Sequence, residues 1–172
     1  TGQFVSAAPK RVIDSATDDV RVGCGFCHPT THAEWQATTH AKALDTLEAI
    51  GQGSNAVCLK CHVVGYGEEG GFVNRATTNA LAGVQCESCH GAGLNHATTP
   101  QRGQMLASIL ADTGAQVSNG CAECHTGTHH PFVEEWRDSR HSRQYAGSVN
   151  NASCVSCHNG AGVLKAWGVN TN

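Results

Sequence analysis

The sequence predicts a mainly irregular chain with short α-helices and little β-structure, packed around a core that its own side chains do not supply. Three observations predict this. The chain has 172 residues but only four Phe, three Trp and two Tyr, against twenty Gly. That is too little apolar bulk for a core of ordinary thickness. Its ten cysteines fall without remainder into five C-x-x-C pairs, each followed at once by a histidine. The pairs recur every 28 to 35 residues, a spacing too short to give each one a domain of its own.

The five motifs are CGFCH (Cys24, Cys27, His28), CLKCH (Cys58, Cys61, His62), CESCH (Cys86, Cys89, His90), CAECH (Cys121, Cys124, His125) and CVSCH (Cys154, Cys157, His158). C-x-x-C-H is the attachment signature of c-type haem. Its two thiols add to the porphyrin vinyl groups, and the adjacent imidazole binds iron on the proximal face. Zinc knuckles, disulfides and redox C-x-x-C pairs are the alternatives, but none requires His at that one position. With 11 His in 172 residues, five of five pairs gaining one by chance has odds of about one in a million. Five haem c groups (iron) are therefore expected. They pack against one another, share walls and form the core under a thin protein coat.

Charge and compartment follow. Eleven basic and 14 acidic residues give a formal net charge of −3, and no basic stripe points to nucleic acid. Ten haem propionates would make the surface more acidic, which suits basic or metal-oxide partners. Haem is joined to such thiols outside the cytoplasm, so an exported chain is expected, periplasmic or extracellular. The N-terminal TGQFVSAAPK has no apolar h-region and reads as already processed. No run reaches the length of a membrane span.

The chain also contains a repeat, Gly23 to His62 and Gly120 to His158. Both copies open with Gly-C-x-x-C-H. Both place Thr-His shortly afterwards (Thr31-His32, Thr128-His129) and continue with Trp-x4-His (Trp35 to His40, Trp136 to His141). Both close with Asn-Ala-x-C-x-x-C-H, from Asn55 and Asn151. CESCH lies between the copies, so the plan is a duplicated two-haem unit with one haem inserted. The expected organisation is a covering arm over residues 1–22, a five-haem domain over 23–158 and a C-terminal tail over 159–172. Within it, residues 32–50 read as a helix with Thr31 as N-cap and Gly51 just past the end. Ala33, Ala37, His40, Leu44 and Leu47 form its apolar face. Residues 132–146 form the matching helix, and the glycine-rich segment 63–73 allows a short hairpin.

Six histidines lie outside the motifs: His32, His40, His96, His129, His130 and His141. Five irons with two imidazoles each need five. The repeat pairs His32 with His129 and His40 with His141, while His96 is unmatched. The candidate distal ligands are therefore His32, His40, His96, His129 and His141. His130 is the spare, and the choice between His129 and His130 stays open. A distal His four to six residues after a proximal one should serve the neighbouring haem. On one continuous helix His32 and His40 would lie roughly 12 Å apart, which suits two stacked irons. Met105, the only methionine, reads as a packing residue. Without Met ligation the potentials should be low. Trp35 and Trp136 read as packing against haem edges.

At this point the chain resembles a family. W-x4-H-A-x-A-L (Trp35 to Leu44), CLKCH, the GGF of residues 70–72 and GVQCESCHGAGLNH (Gly83 to His96) are similar to the tetrahaem cytochromes that accept electrons from hydroxylamine oxidoreductase. They are similar too to related multihaem cytochromes, including those that polymerise into extracellular nanowires. The tetrahaem members carry four haems, and this chain has motifs for five. The resemblance implies haems alternating between stacked and T-shaped neighbours. It implies His28, His62, His90, His125 and His158 as proximal ligands, and His40, His96 and His141 as distal ones.

Electron transfer is the expected function, with no catalytic residues. The chain is expected to serve first as a subunit of an extracellular conductive filament of its own copies, since so thin a coat leaves end haems exposed. One end iron could then borrow His32 from the next copy. The alternatives are a soluble periplasmic shuttle between redox-protein donors and acceptors and, further behind, a small-molecule reductase with one open iron. Under denaturing conditions, intact mass should exceed that of the polypeptide by five haem masses. A zinc-loaded, haem-free chain would refute the attachment reading.

Overall fold

A computed structural model of the chain describes residues 4–9, 11–14, 19–105, 120–143, 147 and 151–168. The chain divides into two compact units, Thr1–Cys124 and His125–Asn172, with the boundary inside the fourth motif.

The fold is helical and irregular, as composition predicts. In the first unit β1 (Arg11–Asp14) and β2 (Asp19–Val22) pair antiparallel. Then come α1 (Cys24–Cys27), α2 (Pro29–Gln36), a 3-10 turn His40–Lys42, α3 (Ala43–Ala49) and α4 (Ala56–His62). They are followed by α5 (Arg75–Thr78), a 3-10 turn Asn79–Leu81, α6 (Cys86–His90) and α7 (Leu94–Thr98), and the 3-10 turn Cys121–Glu123. The second unit holds α8 (Phe132–Asp138), a 3-10 turn Arg140–Ser142, α9 (Val155–His158) and α10 (Gly160–Ala166). Among the described residues no helix is long and apolar enough to cross a membrane.

Four local expectations are corrected. The helix foreseen over 32–50 is two helices, α2 and α3, separated by the 3-10 turn. The break falls at Thr38, whose β-branched side chain folds back to donate from Oγ1 to Trp35 O at 2.7 Å, competing with helix continuation. His40 therefore heads a turn at the surface instead of lying on an apolar helix face. The helix also starts earlier than Thr31: His28 is the N-cap and Pro29 occupies the first position, where its missing N–H costs nothing. Residues 63–73 form successive turns, Glu68 N to Gly65 O and Gly71 N to Glu68 O, because Gly65, Gly67 and Gly70 all take positive φ. The hairpin of this chain is β1–β2 instead. The matching helix foreseen over 132–146 ends at Asp138; residues 144–146 lie outside the described residues. The stop at Gly51 is as expected: φ is +71°, Gly51 N donates to Glu48 O and Gln52 N to Leu47 O, the double closure of a Schellman end.

The repeat has a structural counterpart within each unit. Asn55 Oδ1 accepts from Val57 N at 3.0 Å, and Asn151 Oδ1 accepts from Ser153 N at 2.9 Å. The backbone carbonyls of both asparagines accept from the residue four later, Leu59 and Val155. The same cap thus precedes the second and fifth motifs. Likewise Trp35 (α2) and Trp136 (α8) each sit on a helix followed by a 3-10 turn that holds a histidine, His40 or His141.

The apolar core is small. Leu44, Leu59, Val63, Val64, Phe72 and Leu81 form one cluster, with Phe4, Tyr66 and Ala82 against it. Within the cluster, Leu44 and Val64 are fully enclosed. Substituting Leu44→Ala should therefore cost about 2–5 kcal/mol of stability, read as a lower chemical-denaturation midpoint, while haem content stays unchanged. A change within error would mean that this cluster carries no folding energy.

Candidate haem-binding site

The site is built outward from the first motif. The chain segment before β1 lies on it as a strap. Cys24 N donates to Ser6 O at 3.2 Å and Gly25 N to Ala7 O at 2.9 Å. A Cβ on Gly23 would stand 1.8 Å from Ala8 O, so only glycine fits where the motif begins. The other side of the strap is held by the third motif. Ala7 N donates to Gln85 Oε1 at 2.7 Å, and Val5 N reaches both carboxylate oxygens of Glu87 at 2.9 Å. β2 runs beside α7, the helix that carries His96.

This arrangement brings His28 and His96 together. Their ring centroids are 6.4 Å apart and their planes differ by 18°. Two imidazoles sharing one metal need about 2 Å per metal–nitrogen bond plus roughly 1.1 Å from nitrogen to ring centre, or about 6.3 Å in all. Beside the pair opens an apolar cavity of about 270 Å³, lined by Val5, Cys24, Cys27, His28, His96 and Met105 among others. His96 Nδ1 is buried without a protein partner. Two thiols, a facing imidazole pair and apolar walls suit a covalently held porphyrin with axial histidines. Among the described residues no three His, Cys, Asp or Glu converge on one point as a zinc site would require.

The other motifs extend the pattern. His62 Nδ1 lies 2.9 Å from Ala43 O, which fixes the ring; such a partner raises ligand basicity. Sulfurs of different motifs also meet. In the thiol form Cys24 is pushed up by its hydrogen bond with Cys86 and by burial, and the same bond draws Cys86 down to about 6. Burial, and then Cys61, push Cys124 up to about 12. Cys89 is raised by burial and next by Cys121. None of the ten cysteines is in a disulfide.

Comparison with known proteins agrees with this geometry. Residues 23–91 match the family model described as cytochrome c554 and c-prime. Over 107 residues the chain is 34% identical to cytochrome c-554 of Nitrosomonas europaea, covering 54% of this chain and 46% of that protein. Over 85 residues it is 28% identical to the C-type polyheme cytochrome OmcC of Geobacter sulfurreducens, covering 48% of this chain and 11% of that protein. The chain is a multihaem c-type cytochrome. It spans less than half the length of either relative, and no solved structure matches it.

The remaining sequence-predicted residues of the cytochrome fall as follows. His32 is buried on α2, tilted against Trp35 at 5.4 Å. A Cβ on Gly25 would stand 2.7 Å from its ring. Trp35 is a strut, its Nε1 donating to Val84 O at 2.7 Å. His40 ties to the third motif through its backbone, with Val84 N donating to His40 O at 2.9 Å. His90, at the end of α6, is half-buried, while His141 and His158 are exposed. In the second unit His130 stands 5.9 Å from His125, edge-on at 76°, and 4.3 Å from His129. His130, the spare by sequence, is thus the ring beside the proximal His125.

Sequence reasoning missed Gln85 and Glu87, which are almost fully buried. Gln85 also donates from Nε2 to Ala80 O and Ala82 O. Their position, flanking Cys86 in a stretch with no other charge, was the one available signal. Burial pushes the Glu87 carboxyl up to about 7, against the pull of the Val5 and Gly93 N–H donors. Folding therefore takes up a proton between the ordinary carboxylate range and about pH 7, so stability should fall as pH rises through that window and level off above it. The denaturation midpoint of the wild type should decline across that window, and Glu87→Gln should flatten the decline. An equal slope in both would assign it to other groups.

Proposed function

We propose that this cytochrome moves electrons through five covalently attached haems c, each held by the two cysteines and proximal histidine of one motif. The observation that carries this reading is the His28–His96 pair, whose 6.4 Å spacing and near-parallel planes suit two axial ligands of one iron beside Cys24 and Cys27. When bound, each haem supplies an iron that alternates between ferric and ferrous. The chain's own residues hold those irons, exclude water from them and set their order. His28, His62, His90, His125 and His158 act as proximal ligands. His96 completes the first iron. His40 and His141, equivalent in the repeat, complete two others. His32 and either His129 or His130 remain for the rest.

Sulfur contacts support an order for four of the haems. Each cysteine is bonded to a porphyrin edge once haem is attached, so cysteines that meet bring porphyrin edges together. Cys24 meets Cys86, Cys89 is near Cys121, and Cys124 meets Cys61. The path therefore runs first, third, fourth, second, with two motifs distant in sequence adjacent in space. The third haem joins the ends of a duplicated plan.

The filament is the favoured setting. The coat is thin, and large apolar side chains such as Phe26, Phe132 and Trp167 are exposed. An apolar end that meets a different end does not close on itself and gives a fibre. Export follows from where haem is attached, and donors and acceptors are then redox proteins or, given the acidic surface, a metal oxide. The secreted protein should form fibres by light scattering and negative-stain imaging. Monomers at high concentration, fully six-coordinate, would leave the shuttle. Rapid cyanide binding by the oxidised wild type would favour a reductase.

A further inference from the structure

We infer that Glu87 is a positioning residue for the distal ligand of the first haem: its carboxylate anchors the segment that carries His96 and, through Val5, the strap that lines the same cavity. The inference rests on the reading of His28 and His96 as ligands of one iron.

The side chain is 4% exposed and receives only neutral donors in the bonds it makes. Gly93 N donates to Oε1 at 2.7 Å, and Val5 N donates to Oε1 and Oε2 at 2.9 Å. A carboxylate buried without a cation is costly, so its hydrogen bonds must return something beyond packing. Gly93 is the N-cap of α7, three residues before His96 and less than one turn away. Its N–H has no partner inside the helix, since the first N–H groups of any helix lack one. Fixing that N–H on α6 sets where α7 begins, and so where the His96 ring stands relative to His28. Space is equally constrained: a Cβ on Gly93 would lie 3.2 Å from Glu87 Oε1 and 3.4 Å from Met105 Cε. The other bond draws Val5, which lines the cavity, down onto the same carboxylate. One side chain of the third motif thus locates both the ligand and one wall of the first haem's site.

Reach and charge separate in two conservative variants of the full-length, haem-loaded cytochrome. Glu87→Gln keeps an Oε1 that both N–H groups can meet. Glu87→Asp keeps the charge but draws it back by one methylene. If Glu87 positions His96, Glu87→Asp should turn part of one haem's low-spin signal high-spin, open it to cyanide, and recover on adding free imidazole. Glu87→Gln should stay low-spin throughout. The proposal is overturned if Glu87→Asp remains fully low-spin, or if Glu87→Gln opens an iron to the same extent. His96→Ala is measured alongside. An opened iron there with none in Glu87→Asp refutes the role of Glu87 alone; no opened iron in His96→Ala refutes the ligand reading and the role of Glu87 with it. Should Glu87→Asp not assemble, Gly93→Ala, whose methyl presses on Oε1, is scored by the same signal, and an unchanged spectrum again overturns the proposal.

Discussion

Everything in this structure follows from a shortage of apolar side chains. Among the described residues only twelve hydrophobic side chains are buried, and three of them are alanines. The one contiguous cluster, around Leu44 and Val64, belongs to the segment between α3 and the 3-10 turn at Leu81. Among the described residues no second cluster of this kind forms, and the thin coat calls for another apolar body to close around. Five C-x-x-C-H motifs supply the means of holding it. Porphyrin faces are broad and rigid, so helices need only be long enough to present two thiols and an imidazole, and they are: α1, α6 and α9 have four or five residues each.

Short helices cannot position one another by long packed faces, and the cytochrome uses hydrogen-bonded ties instead. The third motif gathers most of them. Its approach, Gly83 to Gln85, receives the Trp35 indole, the His40 carbonyl and the strap at Ala7. Its helix receives Val5 and Gly93 through Glu87. By contrast the exposed Arg75 cluster with Glu48 and Asp45 ties α5 to α3 at the surface, where such pairs contribute little. The unduplicated motif is therefore the one on which these ties of the first unit converge.

Much of this was legible in the sequence, because covalent chemistry leaves a strict signature. The five C-x-x-C-H motifs and the matched Asn55 and Asn151 could be read directly. Gly51 could too, since a positive φ after an apolar run has few other uses. The break at Thr38 could not: a β-branched hydroxyl residue is tolerated in helices, and whether it folds back on Trp35 depends on what holds the next turn. The start at His28 was missed because histidine is not a favoured N-cap, although Pro29 at the first helical position was a signal for it. The turns at 63–73 and the strands Arg11–Asp14 and Asp19–Val22 were not told apart because period-2 patterning is weak in runs of four residues. The pairing of His28 with His96, 68 positions apart, is set by tertiary ties through Glu87, and no local pattern encodes it.

The central claim is that the haems are the core. It is tested most directly by hydrogen exchange on the chain made without haem, with all ten cysteines replaced by alanine, against the haem-loaded protein. The account predicts that backbone amides across α1, α6 and α7 exchange freely without haem and are protected with it. Native-like protection of those helices in the haem-free chain would contradict it.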